Sequence, residues 1–481
     1  MKYRDLEYIS KNLWEYPRSG QMRVPGRIYA NDKIISAVYR DNAIEQVKNV
    51  AQLPGVRKYS IAMPDIHWGY GFPIGGVAAM SVKEGVISPG GVGYDINCGV
   101  RFIRTNLEYD DIKDKSSAII NAVFDEVPTG VGSRNSIPAL SSGELKNVLR
   151  EGARWSIKKG YGRESDLEAI EEYGCLKEAD PEKVSAKAMK RGSDQPGTLG
   201  SGNHFVEMGV IRDVYQDDVA SELRLKKNQV VFMVHTGSRG LGHQICDDYV
   251  HDMLMKSGSL KFKLPDNQLA CAYIDSDLGR DYFAAMACAA NFAWANRQII
   301  MSKVEQALLK CLHMSSVDLG FELIYDVCHN IAKFEEHEID GNMETVCVHR
   351  KGATRAFGPG RKELAERFRT LGQPVIIPGD MGTESYLCLG TRKALQETFG
   401  SSCHGAGRTM SRHQALKSTN INRVLQDMRQ KHIYVKAASN KTLVEEMSAA
   451  YKDVSDVVDT MHEAGIIQKI VRSTPLGVIK G

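Results

Sequence analysis

The chain has 481 residues, 42% of them hydrophobic and 25% charged, with 62 Lys and Arg against 59 Asp and Glu for a net charge of +3. That balance excludes a chain too polar to build a core, and it excludes capture of a polyanion by bulk charge alone. No apolar run reaches the roughly 18 residues a bilayer span requires, and the opening Met1-Lys-Tyr-Arg-Asp5 is too polar for a secretory signal. The expectation is a cytoplasmic protein without membrane contact, its ten scattered cysteines reduced.

In chain order, residues 59–63 read as a short strand running into Pro64-Asp65-Ile66-His67. Ser141-x-x-Glu144 is a capping box, predicting a helix that stops near Gly160. Residues 230–234 form a strand ending at His235-Thr-Gly-Ser-Arg239, and residues 281–314 give the longest helical pattern, rich in Ala, Met and Leu. Two more short strands, 375–377 and 385–389, close on glycine turns. A helix is predicted over residues 440–464, stopped by Gly465 and containing Tyr451. Helices and strands mix without strict alternation, which predicts an α+β fold with a sheet core flanked by helices. No composition break separates domains, so residues 1–481 are expected to form one.

The residues that carry chemistry sit where strands meet glycine-rich loops. In Gly90-Gly-Val-Gly-Tyr-Asp95-Ile-Asn-Cys98-Gly99, Asp95 and Cys98 can turn toward one ion. Imidazoles come from His204, His235 and His329. Five such donors could hold one ion, or two with a bridging thiolate, although each alone is more often a packed structural residue. Thiolate and imidazole by themselves favour zinc over manganese.

The second dense stretch is Ser401-Ser-Cys403-His404-Gly405-Ala406-Gly407-Arg408. Small residues after His404 allow backbone N–H groups close to a phosphate, and Arg408 adds a fixed positive charge. A neutral imidazole there can attack phosphorus, act as a base, ligate metal, or merely belong to a turn. Cys403 and Cys328 read as packing residues. Glycine loops at 197–204 and 378–383 resemble phosphate cradles without the P-loop pattern. Asp65 is a candidate proton acceptor, and Trp68 and Tyr70 are candidate stacking surfaces. Polyanion contact would need a local basic surface, for which Arg350, Lys351, Arg355, Arg361, Lys362, Arg408 and Arg412 are the candidates. A solvated face with interspersed acids explains that run equally well.

Taken together, these stretches resemble the RtcB-type RNA-splicing ligases. Residues 64–76, 90–99, 200–207, 235–243, 329–330, 349–356, 378–385, 404–408 and the terminal Lys480-Gly481 match in family order over nearly the whole chain. The resemblance implies a central cleft in which RNA 3′-phosphate or 2′,3′-cyclic phosphate ends, such as those of tRNA halves, are joined to 5′-hydroxyls with GTP and Mn2+. It assigns two manganese ions to Asp95, Cys98, His204, His235 and His329, with Cys98 bridging. It makes His404 the acceptor of GMP. It places guanylate against Asn203, His204, Phe205, Val206, Glu207, His329, Asn330, Pro378, Gly379, Asp380, Met381, Ser385, His404, Gly405, Ala406, Gly407, Tyr451 and Lys480. Tyr451 would offer a ring to guanine, while Glu207 and Lys480 would hydrogen-bond its edge. A monomer and an activator of the archease kind are further implications. One departure stands out: the family commonly carries Ser where this chain has Asp380, leaving a side-chain contact from position 380 in doubt.

Rival readings are a metallo-phosphoesterase that needs the metal ligands but not His404 or Lys480, and an RNA-binding scaffold with metal or nucleophile residues lost, whereas none is lost here. The Lys-x-x-Gly spacing of Lys159-Gly-Tyr-Gly162, which lysine-based ligases share, is short enough to arise by chance.

Overall fold

A computed structural model describes residues 5–39 and 41–481. Most of Met1-Lys-Tyr-Arg-Asp5, on which the reading of the chain's opening rested, lies outside the described residues. The architecture is α+β, built on two large sheets.

The eight-stranded sheet takes Glu322–Cys328, Gly99–Glu108, Gln229–Thr236, Phe205–Val214, Ile467–Lys480, Ser385–Gly390 and Pro374–Ile377 in spatial order, all antiparallel. Tyr434–Ala437 joins it parallel to Ile467–Lys480. Gln229–Thr236 is buried at every position, as an apolar strand covered on both faces must be. The seven-stranded sheet runs Glu7–Ser10, Leu13–Tyr16, Gly26–Tyr29, Val56–His67, Ile74–Ser81, Asn342–Lys351 and Asn330–Ile339. Its last hairpin turns on Asp340-Gly341, both at positive φ, the two-residue geometry that matches strand twist.

One of the chain's crossings between the two sheets spans a single residue. Glu322–Cys328 ends the first, Asn330–Ile339 begins the second, and His329 is the joint. Chemistry is therefore concentrated along the seam.

The predicted long helix spans Asp277–Leu312, starting four residues earlier than its apolar pattern because Ser276 caps it. It is buried along most of its length, and its polar side chains are spent on loops. Asn296 bonds Gly197, Thr198 and Gly237, while Arg297 bonds the carbonyls of Asn97 and Thr236 and the carboxylate of Asp326. A buried polar group without a partner would cost about 1–3 kcal/mol, so these bonds fix where the loops lie.

Three expectations need correction. The capping box at Ser141 forms, but Gly152 at positive φ divides the helix into Ser142–Glu151 and Ala153–Lys158. The helix predicted over 440–464 is two, Asn440–Glu445 and Val454–Glu463, and Tyr451 lies between them in a bridge with Arg408. Three of the seven cations of the candidate basic surface are interior. Arg350 and Arg355 are 0% and 2% exposed and Lys351 is 4% exposed. Glu335 neutralises Arg350, Glu171 and Glu172 neutralise Arg355, and Lys351 donates to backbone carbonyls of Tyr70 and Gly90.

All ten cysteines are unbridged, and no helix among the described residues is long and apolar enough to cross a membrane.

Candidate active site

Sheet order assembles the donors. His235 pairs across from both Val100 and Phe205, Cys328 pairs with Gly99, and Lys480 pairs with Phe205. Cys98, His204, His235, His329 and Lys480 thus reach one edge of the sheet from five neighbouring strands. Asp95 joins them through a tight turn in which Cys98 N–H donates to the Asp95 carbonyl. Gly237 is required opposite, because a Cβ there would stand 2.4 Å from Asp95 Oδ1.

The ligand atoms converge in two groups that share Cys98. Its Sγ is 3.2 Å from His235 Nε2 and 3.5 Å from His204 Nε2. His235 Nε2 lies 3.4 Å from His329 Nε2, and His204 Nε2 lies 2.7 Å from Asp95 Oδ2. The Leu199 carbonyl accepts from His204 Nδ1 at 3.0 Å, which leaves Nε2 available to ligate a metal. Burial holds His235 and His329 far below the ordinary histidine range, so both are neutral, the state that binds metal. Burial and the Asp95 carboxylate push the Cys98 thiol up. Separations near 3.5 Å between donors suit ions about 2.0–2.3 Å from each.

His404 follows the short strand Ser401–Cys403 and lies across the seam, its ring 4.8 Å from that of His329. Asp65 Oδ2 accepts from its backbone N–H at 2.9 Å and its Nδ1–H at 2.5 Å. Gly407, at φ 73°, lets the loop press on Asp65, whose carbonyl oxygen would be 2.2 Å from any Cβ there.

One cleft is lined by Asp95, Cys98, Asn203, Phe205, His235, His329, Asn330, Pro378, Gly379, Asp380, His404, Gly405, Ala406, Gly407, Tyr451 and Lys480. Of the remaining residues named from the sequence, His204 adjoins Asp95 as described, and Glu207 and Ser385 lie beside one another near Lys480. Val206 and Met381 point their side chains into the core, at 0% and 2% exposure, so only their backbones can face a ligand. Asn330 braces the site, donating to the Asp95 carbonyl and accepting from Gly352 N–H. Trp68 is half exposed, and Tyr70 packs edge-on to Tyr94.

The Asp380 carboxylate turns back on its own loop. It accepts from Gly382 N–H, Thr383 Oγ1 and Ser448 Oγ. Burial, opposed by Lys480 and reinforced by Asp380, raises Glu207 to about 8, and its Oε1 has no partner.

Sequence reading missed Glu446. Its buried carboxylate gathers Arg408, Arg412 and the Tyr451 hydroxyl, with Lys480 3.7 Å away. Arg408 is consequently a tethered cation, bonded also to the carbonyls of Glu445 and Met410. His67 and Gly352 also line the cleft; both lie in stretches that carry the family resemblance, though the sequence reading singles out neither as a site residue.

Two candidate ligand sets sharing a thiol, beside a histidine held by a carboxylate, form an arrangement able to support nucleophilic transfer at a metal centre. The family model of the tRNA-splicing ligase RtcB matches residues 46–481. A protein from Archaeoglobus fulgidus described as tRNA-splicing ligase RtcB is 52% identical over 478 residues, covering 99% of either chain. Those from Thermococcus kodakarensis and Pyrobaculum aerophilum, described alike, are 50% and 48% identical, covering 99% and 100% of either chain. The chain belongs to the RtcB family.

Proposed function

We propose that the chain is an RNA ligase of tRNA splicing or RNA repair that uses GTP to join a 3′-phosphate or 2′,3′-cyclic phosphate to a 5′-hydroxyl. The carrying observation is the Asp65–His404 contact in the cleft that also holds the metal-ligand set. With Nδ1 bonded to Asp65, the neutral ring carries its lone pair on Nε2.

His404 Nε2 attacks the α-phosphorus of GTP, an N–P bond forms, and pyrophosphate leaves. Asp65 fixes the ring and offsets the positive charge that develops on it. An oxygen of the RNA 3′-phosphate then attacks the same phosphorus, the N–P bond breaks, and a diphosphate linkage joins RNA to guanosine. The 5′-hydroxyl, losing its proton, attacks the RNA phosphorus and GMP departs. A cyclic phosphate is first opened by water.

The donor set fits divalent ions. Asp95, Cys98, His204, His235 and His329 would hold two Mn2+ with Cys98 shared, supplying charge neutralisation at phosphate oxygens and activation of water. Glu207 Oε1, buried without a protein partner, offers an acceptor to the N–H edge of guanine, with Ser385 and Lys480 beside it. Tyr451 lines the same space. The reading includes a single domain acting as a monomer in the cytoplasm, with an archease-type activator.

Incubation with α-labelled GTP and Mn2+ tests it. The expected product is a guanylate adduct stable to alkali, lost in acid and absent from His404→Ala. No adduct with any divalent metal removes the ligase mechanism. An adduct persisting in His404→Ala reassigns the nucleophile.

A further inference from the structure

Asp65 sits in an irregular part of its strand. Val56–His67 pairs with Ile74–Ser81 at Ala62↔Gly76 and again at His67↔Ile74, and the register shifts between. Backbone groups in such a bulge lose their ladder partners and must find others. Side chains supply them here. The Asp65 carbonyl meets His67 Nδ1 at 2.9 Å, and Lys452 Nζ donates to both flanking carbonyls, Pro64 O at 2.9 Å and Ile66 O. The Lys452 backbone N–H also donates to Gly407 O at 2.9 Å, in the loop that carries His404. Lys452 therefore ties the Asp65 bulge to the loop that carries His404.

We propose that Lys452 is a positioning residue for the transfer step, its ammonium holding the bulge so that Asp65 stays aligned on His404. Two carboxylates, Asp65 and Asp41, attract it, and the titratable rings nearby, His67 and His404, are both hydrogen-bonded to Asp65. Burial outweighs that attraction and lowers Lys452 to about 8. Below that pH it is an ammonium with three donors, and above it a neutral amine that grips two carbonyls more weakly. A displacement of about 1 Å at an aligned pair costs up to about 10²-fold in rate.

The inference rests on His404 as the guanylate acceptor, and adduct formation by the unaltered chain checks that first. In single-turnover guanylation, Lys452→Met is expected to lower the maximal rate about tenfold or more. The GTP concentration for half-maximal rate stays within about twofold, because no base or phosphate contact is removed. Lys452→Arg keeps a cation at every accessible pH. It should recover most of the lost rate, and its alkaline fall should lie at least about one pH unit above that of the unaltered chain, which begins near pH 8. Two outcomes overturn the proposal: a Lys452→Met rate equal to the unaltered one, or a Lys452→Arg profile falling at the same pH. If Lys452→Met does not fold, the Arg profile decides alone. No adduct in the unaltered chain would instead remove the guanylation reading.

Discussion

Asp65 Oδ2 is 2.5 Å from His404 Nδ1 and simultaneously accepts the His404 backbone N–H at 2.9 Å. One carboxylate oxygen thereby sets both the position of the loop and the tautomer of the ring.

Asp65→Asn follows directly. The amide can present N–H to Nδ1, which moves the ring proton to Nε2 and removes the nucleophilic lone pair. Rapid-quench measurement of adduct formation should show a loss of about 10²- to 10⁴-fold with GTP binding little changed. A rate within twofold of the unaltered chain would refute the tautomer role.

Sharing of Cys98 between two ligand groups predicts a stoichiometry. Equilibrium dialysis against Mn2+ should give two ions per chain, fewer than one in Cys98→Ala, and one in His329→Ala, which belongs to a single group. Loss of only one ion from Cys98→Ala would mean the thiol is not shared.

Burial makes Glu207 oppose stability as the pH rises. Its carboxyl is raised from 4.5 to about 8, so the folded state favours the neutral form and pays increasingly as pH rises between those values. Glu207→Gln should raise the thermal midpoint at pH 8 and above, with little change near pH 4. The same substitution should weaken GTP, since the amide places a donor where guanine also donates. Calorimetry and GTP titration of one preparation read both. A lower midpoint at pH 8 would contradict the burial argument.

Glu171 works in the opposite sense. Its carboxylate accepts from Cys328 N–H and Sγ and from Lys333, and pairs with Arg355, at the end of the strand that precedes His329. Those cations, against the cost of burial, hold it near 2. A depressed carboxyl stabilises fully above its unfolded value of 4.5 and loses that stabilisation as pH falls toward 2. Glu171→Gln leaves Glu172 as the remaining carboxylate shared by the buried Lys333 and Arg355, and should cost up to about 3–5 kcal/mol at pH 7. The gap in denaturant midpoint between the two proteins should narrow below pH 4.5. A constant gap would show that packing rather than charge is lost.

Much of the site was legible because its chemistry is local in the chain. Asp95 and Cys98 share one glycine turn, His404 heads a run of three small residues, and Asp380 and Ser385 bracket one loop. Each announces itself within ten residues. The partnerships are another matter. Glu446 looks like one acid in Glu445-Glu446-Met447, yet it neutralises cations drawn from positions 408, 412 and 480. Lys452, beside Tyr451, gives no sign that it reaches a bulge almost 400 positions earlier. The same blindness made Arg350 and Arg355 look like surface, since the acids that bury them, Glu335 and Glu171, come from elsewhere.

The sequence by itself determined which side chains could bind metal, attack phosphorus and line a phosphate cradle, because side-chain chemistry and glycine's backbone freedom belong to residues. Only the tertiary structure decided that five donors meet at one sheet edge, that Cys98 stands in both groups, and that Asp65 fixes the tautomer of His404. Those are matters of strand order and register, set by burial over the whole chain, and no local pattern encodes them.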